Sequence, residues 1–152
     1  MKGKPIAWGL KWWCRCDSST GYLYEFDIYV GRKLMPEVGL GEGVVLRFAE
    51  ALRGTFANLY FDNFFTSPLL IQKLFDMDLY SVGTVRANRK NMPQLSIPQE
   101  KSMTRGDVGF IYSDKVVACK WFDSRVVTLL ASNVSGADGM STVLRREKGA
   151  AA

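Results

Sequence analysis

A chain of 152 residues that is 47% hydrophobic and 12% aromatic fits one domain, able to bury about two-thirds of its unfolded surface, and excludes a disordered class. The formal charge of +5 and a pI near 9.2 permit contact with a polyanion without requiring one. No apolar run approaches the roughly 18 residues needed to span a bilayer, and Lys11, Arg15 and Asp17 interrupt any signal-peptide core after the basic start Met1-Lys2-Gly3-Lys4.

The first pattern in the chain is a hairpin. Residues 8–16 are rich in aromatic and large apolar side chains, residues 21–30 alternate aromatics with polar groups, and Asp17-Ser18-Ser19-Thr20-Gly21 between them is a turn signal. Tyr22, Tyr24, Phe26 and Ile28 fall on one face of the second arm, with Glu25, Asp27 and Tyr29 on the other. Trp12 and Trp13, being adjacent, face opposite ways, so at least one belongs to the core and the other is open to base stacking. Cys14 and Cys16 share a face of the first arm. The only other thiol is Cys119 and there is no histidine, so a structural zinc site is not expected. Three cysteines, an odd count, argue against a disulfide framework and for a reducing compartment.

Residues 31–43 hold Pro36 and four glycines and read as a loop. Gly39-Leu40-Gly41-Glu42-Gly43 superficially suggests a phosphate loop, but lacks the glycine fingerprint and a Gly-Lys-Ser/Thr ending; it is expected to be a flexible approach to a helix. Val44, Val45, Phe48, Ala51 and Leu52 then recur at helical spacing, with Gly54 at the C-terminal stop. A strand at 59–61 follows. Ser67-Pro68 opens a second helix, Ser as N-cap and Pro at the first position, with Leu70, Ile71, Leu74 and Phe75 inward. A strand at 80–85 completes a helix–strand–helix–strand run, which favours parallel pairing through a crossover helix. Residues 88–106 are polar, with Pro93 and Pro98, and read as a connection. Strands at 108–112, 116–121 and 126–131 form a β-meander, and residues 136–152 carry no ordering pattern.

Two segments stand out. Leu59-Tyr60-Phe61-Asp62-Asn63-Phe64-Phe65-Thr66-Ser67 delivers one carboxylate to the end of a buried strand, where crevices form in open α/β sheets. Equally, Asp-Asn after a strand is a common turn, and Asp62 can simply bind amides at the start of the next helix. Gly83-Thr84-Val85-Arg86-Ala87-Asn88-Arg89-Lys90 follows the second strand and places Arg86, Arg89 and Lys90 beside Asp62. These cations either touch DNA phosphates or are solvated loop charges.

Both segments, with Val127-Thr128-Leu129-Leu130-Ala131-Ser132-Asn133 as a weaker third, resemble the middle of the piggyBac-type DDE transposase domain; the resemblance runs from Lys4 to about Asn133. It implies an α/β fold, an incomplete ribonuclease H-like sheet (hairpin, then helix–strand–helix–strand) with a β-meander insertion. The expected organisation is a partial transposase domain over 1–135, the insertion over about 91–135, and a disordered tail over 136–152. It also implies nuclear, metal-dependent cut-and-paste DNA transposition, with transposon ends and TTAA targets as DNA partners. Two Mg2+ or Mn2+ ions would flank the scissile phosphate, and Asp62 would be the catalytic residue and metal ligand, one of three carboxylates. The resemblance places the other two in an aspartate–glutamate strand upstream of Lys4 and in a Gly-Gly-Val-Asp helix downstream. Asp123 sits in a turn of the insertion, and Glu25 and Asp27 match no ligand position.

The expected activity of this chain is therefore none, with three readings open: an enzyme piece completed elsewhere, a domesticated module binding DNA or another transposase chain, or a functionless remnant. The upstream strand would be the middle one of five, so the hairpin and the parallel pair are expected to flank a gap. Exposed edges recruit other chains, and the isolated chain is expected to be marginal, to dimerise or to close its sheet differently.

Overall fold

The computed structural model describes residues 9–29, 39–92, 102–113 and 115–132; the expected tail, and residues 93–101 of the polar connection, lie outside them. The hairpin forms as expected from β1 (Trp12–Cys16) and β2 (Leu23–Ile28), antiparallel, with Trp13 opposite Asp27 and Cys14 opposite Phe26. Its turn is built on one carboxylate oxygen. Asp17 Oδ1 accepts from the amides of Ser19 and Thr20 at 3.0 and 2.7 Å and from their hydroxyls at 2.6 and 2.8 Å. Four donors hold this carboxyl well below the usual carboxylate range, the Ser19 hydroxyl contributing most. Gly21 closes the turn at φ 74°, a left-handed conformation natural to glycine.

Helix α1 spans Leu40–Ala49 and runs into a 3-10 turn, Glu50–Leu52. It begins before Val44, so residues 40–43 are not a loop but the helix's first turn. Glycine's low helix propensity hides this start, and packing explains it. A Cβ on Gly41 would lie 2.9 Å from the Phe64 carbonyl oxygen and 3.2 Å from the Phe65 Cα, so only glycine lets this turn approach residues 64–65. Gly54 stands past the helix at φ 76°, as its position in the sequence suggests, and donates to the Met77 carbonyl.

Strand β3 (Asn58–Phe61), helix α2 (Pro68–Phe75) and β4 (Tyr80–Thr84) form the expected parallel crossover. The Ser67 hydroxyl accepts from the Leu70 amide at 3.1 Å, capping α2 ahead of Pro68. Leu70, Ile71 and Leu74 are fully buried, while Phe75 is only partly so. The meander is β5 (Val108–Ser113), β6 (Val116–Phe122) and β7 (Val126–Ala131). It does not stand apart from the crossover: β7 pairs antiparallel with β4, giving one five-stranded mixed sheet in the order β3-β4-β7-β6-β5. Leu70, Leu74, Met77, Leu79 and Ala49 make one core cluster, and Ile71, Val85, Val116, Ala118 and Leu130 another, with Phe61 against both.

The hairpin and the five-stranded sheet share no strand pairing. Helix α1 joins them. Trp13 is buried against Val44 and Phe48, and Arg47 pairs with Asp27 at 2.6 Å. Trp13 is thus the core tryptophan, whereas Trp12 is 48% exposed and stacks on Phe26 at 4.9 Å between ring centres. The outer face of the hairpin is the apolar one, with Tyr24, Phe26 and Ile28 exposed; Glu25 and Asp27 turn inward to ion pairs with Arg15 and Arg47. Between the β1 and β3 edges, above α1, lies a cavity of about 820 Å³.

Candidate functional site

Asp62 is the first residue past β3, at the C-terminal edge of the parallel pair and exposed to solvent. Its carbonyl accepts from the amides of Phe65 and Thr66, each at 3.2 Å, and from the Thr66 hydroxyl at 2.8 Å. Its Oδ1 accepts from the Phe64 amide at 2.8 Å. The Asp-Asn turn seen in the sequence is therefore real, and the carboxylate caps it with one oxygen. Oδ2 meets no donor among the described residues and stays open to solvent.

The basic loop after β4 folds onto this turn. Arg86 Nε donates to the Asn63 side-chain oxygen at 3.2 Å. Arg89 Nη2 donates to the carbonyls of Asn63 and Phe64, the latter at 3.2 Å, while its Nε is buried without an acceptor. These hydrogen bonds go to uncharged oxygens, so the clasp fixes two guanidinium groups on the turn that follows Asp62. Lys90 is exposed and makes no hydrogen bond or ion pair among the described residues. The structure thus brings Asp62, Arg86 and Arg89 to one end of the sheet. Asn63, the acceptor on which both arginines converge, was not singled out in the sequence, because a contact across 23 and 26 residues leaves no local signal.

The turn is wedged from below. Thr66 is fully buried and lies against Gly83 of β4, where an added Cβ would stand 2.3 Å from its Oγ1 and 2.8 Å from the Phe61 carbonyl oxygen. From the hairpin side, Trp13 stacks on Phe64 at 5.5 Å and meets Phe65 edge-on at 5.6 Å, and Lys11 Nζ sits 4.6 Å from the Phe64 ring centre. Glu42 ties α1 to α2 through Lys73 at 2.8 Å and the Ser67 hydroxyl at 3.4 Å. Asp123 is structural: its amide donates to the Arg125 carbonyl at 3.2 Å and its carboxylate meets Arg105 at 3.4 Å.

The sequence and the mixed α/β fold match a known family. A family model described as Transposase IS4 matches residues 1–150. The chain belongs to this family, among its piggyBac-type members. Human PiggyBac transposable element-derived protein 3 is 36% identical over 140 residues, covering 87% of this chain and 23% of that protein. Human PiggyBac transposable element-derived protein 2 is 35% identical over 142 residues, covering 88% and 24%. A piggyBac transposase solved by cryo-EM as a synaptic complex with hairpin DNA superposes with a TM-score of 0.79 at 29% identity, over 95% of this chain and 30% of that one. The chain spans about a quarter of the length of the curated relatives it matches.

The DDE-type family implies a divalent metal in the complete domain. Hard cations need several converging oxygens, and the residues here do not fit a two-ion centre. Among the described residues, no three His, Cys, Asp or Glu side chains come together to hold a metal ion. Asp62 offers one carboxylate, while Glu42, Asp27 and Glu25 are held by Lys73, Arg47 and Arg15.

Proposed function

We propose that this chain is a DNA-contacting part of a piggyBac-type transposase domain of ribonuclease H-like fold. The parent activity is metal-dependent cut-and-paste transposition, and this chain does not itself cut DNA. The carrying observation is the clasp: two guanidinium groups fixed on the Asp62 turn at the C-terminal end of parallel strands, with Lys90 free beside them. This end of an α/β sheet is where ligands are taken up, and fixed cations suit phosphates. The structural relative was solved in complex with hairpin DNA, which supports DNA as the partner, and a nuclear location goes with this reading.

A lone carboxylate supports only a weak, water-rich cation site, which favours a non-catalytic module that binds DNA or pairs with another transposase chain over an enzyme. Two assays test the proposal. Binding of a fluorescent hairpin duplex should weaken with salt with a slope of about −0.9 per phosphate contacted, and Lys90→Glu, which breaks no hydrogen bond or ion pair among the described residues, should reduce that slope by about 1. An unchanged slope would remove the DNA face. Incubation with Mg2+ or Mn2+ should leave the strands intact; nicking that disappears in Asp62→Ala would overturn the non-catalytic reading.

A further inference from the structure

The ammonium group of Lys11 sits where the hairpin meets the Asp62 turn. Lys11 immediately precedes β1, and its carbonyl accepts from the Tyr29 amide at 2.8 Å, which ties its backbone to the end of the second arm. Its Nζ lies 4.0 Å from the Trp13 ring centre, 4.6 Å from that of Phe64 and 5.6 Å from that of Tyr29. Three rings from three segments thus attract one cation. The rings are themselves fixed, because Trp13 is buried, stacks on Phe64 and meets Tyr29 edge-on. Lys73 and Lys115 are each neutralised by a carboxylate, Glu42 and Asp76. The Lys11 ammonium, by contrast, makes no hydrogen bond or ion pair among the described residues, and the residue is only half-buried. It is a held cation without a counter-charge. Phe64 carries a cation at each end, Lys11 at its ring and Arg89 at its carbonyl oxygen, so Lys11 is a neighbour of the clasp.

We propose that Lys11 is a further phosphate-contacting residue of the DNA face, held ready by Trp13, Tyr29 and Phe64, so that hairpin and sheet grip one DNA backbone together. The group it takes is a phosphodiester, met by the Nζ hydrogens that are not turned toward the rings. A lysine in free solution loses rotamer freedom when a phosphate fixes it. For Lys11 the rings have already restricted the side chain, so the contact costs less than one made by a solvated lysine. The assignment rests on DNA being the partner of the Arg86 and Arg89 clasp. It extends that face onto the hairpin, which shares no strand pairing with the sheet.

The test measures binding of the fluorescent hairpin duplex by the full chain and its variants between about 50 and 200 mM salt. Lys11→Gln should reduce the salt slope by about 1, which makes its deficit about 3.5-fold larger at the low-salt end of that range. Lys11→Arg keeps a cation that the rings attract and should restore the slope. Lys115→Gln removes the same charge at the other end of α2, where Lys115 pairs with Asp76, and should leave the slope unchanged. Lys90→Glu separates the two readings. If it lowers the slope and Lys11→Gln does not, Lys11 is a structural prop and the assignment falls while the DNA face stands; if neither lowers it, both fall. Equal losses of slope in Lys11→Gln and Lys115→Gln would reflect overall charge and also overturn the assignment. A second measurement needs no substitution: bound duplex should slow acylation of the Lys11 amine several-fold, read by mass spectrometry, and leave Lys115 unaffected. Acylation of Lys11 at the same rate with and without DNA would overturn the assignment.

Discussion

Replacing Gly83 by alanine tests how the Asp62 turn is held. Gly83 sits in β4 opposite Phe61 of β3, and an alanine Cβ there would lie 2.3 Å from Thr66 Oγ1, 2.8 Å from Phe61 Cδ2 and 2.8 Å from the Phe61 carbonyl oxygen. The Phe61 ring can rotate, but its carbonyl is fixed within β3, and Thr66 is fully buried with its hydroxyl committed to the Asp62 carbonyl. Forcing one methyl into a packed site costs about 1–3 kcal/mol, and displacing a buried hydroxyl from its acceptor adds about 1 kcal/mol. The expected destabilisation is roughly 2–4 kcal/mol, or about 5–15 °C in melting temperature at this chain length. Thermal and urea unfolding of Gly83→Ala read the total. The same change in a Thr66→Ala background isolates the clash, because removing Oγ1 takes away the closest contact. The glycine substitution should cost about 1 kcal/mol less there. A loss under about 0.5 kcal/mol in Gly83→Ala, or strictly additive costs in the double variant, would refute the close approach of β4 to the turn.

Ser67→Ala should cost about 1 kcal/mol through the lost cap on the Leu70 amide, with urea unfolding as the measure and no change in the slope of the transition. The depressed Asp17 carboxyl makes hairpin stability pH-dependent: the contribution is complete above the ordinary carboxylate value of about 3.9 and is lost as pH falls through and below it. The stability gap between the protein and Asp17→Asn should therefore be constant above about pH 5 and narrow in more acid solution; a gap that widens there would contradict the four-donor turn. Burial pushes the Cys119 thiol up, so titration with a chromogenic disulfide at pH 8 should show two fast thiols and one slow. Three equal rates would place Cys119 at the surface.

What was legible in the sequence was local. Ser67-Pro68 marked the start of α2 because capping and proline geometry act within one turn, and the period-two runs at 108–131 gave the meander. Asp62 could be placed at a strand end because a short apolar run before an Asp-Asn turn has few alternatives. The α1 start was hidden because Gly41 and Gly43 argue against a helix by propensity, while the reason for Gly41 lies in the backbone of residues 64–65. The β7–β4 pairing and the grip of Arg86 and Arg89 on Asn63 join residues far apart in the chain, and no periodicity records such contacts. The hairpin misleads by its pattern: its apolar face is the exposed one, and its charged face packs inward because Arg15 and Arg47 supply counter-charges.

Trp13 touches both sides of the molecule's seam, with its flat side on Phe64 next to Asp62 and its edge against Val44 and Phe48 of α1. A shift of the hairpin on α1 therefore moves the ring that props the Asp62 turn, although hairpin and sheet share no strand pairing. One aromatic side chain carries the register between two sheets that the backbone leaves unconnected.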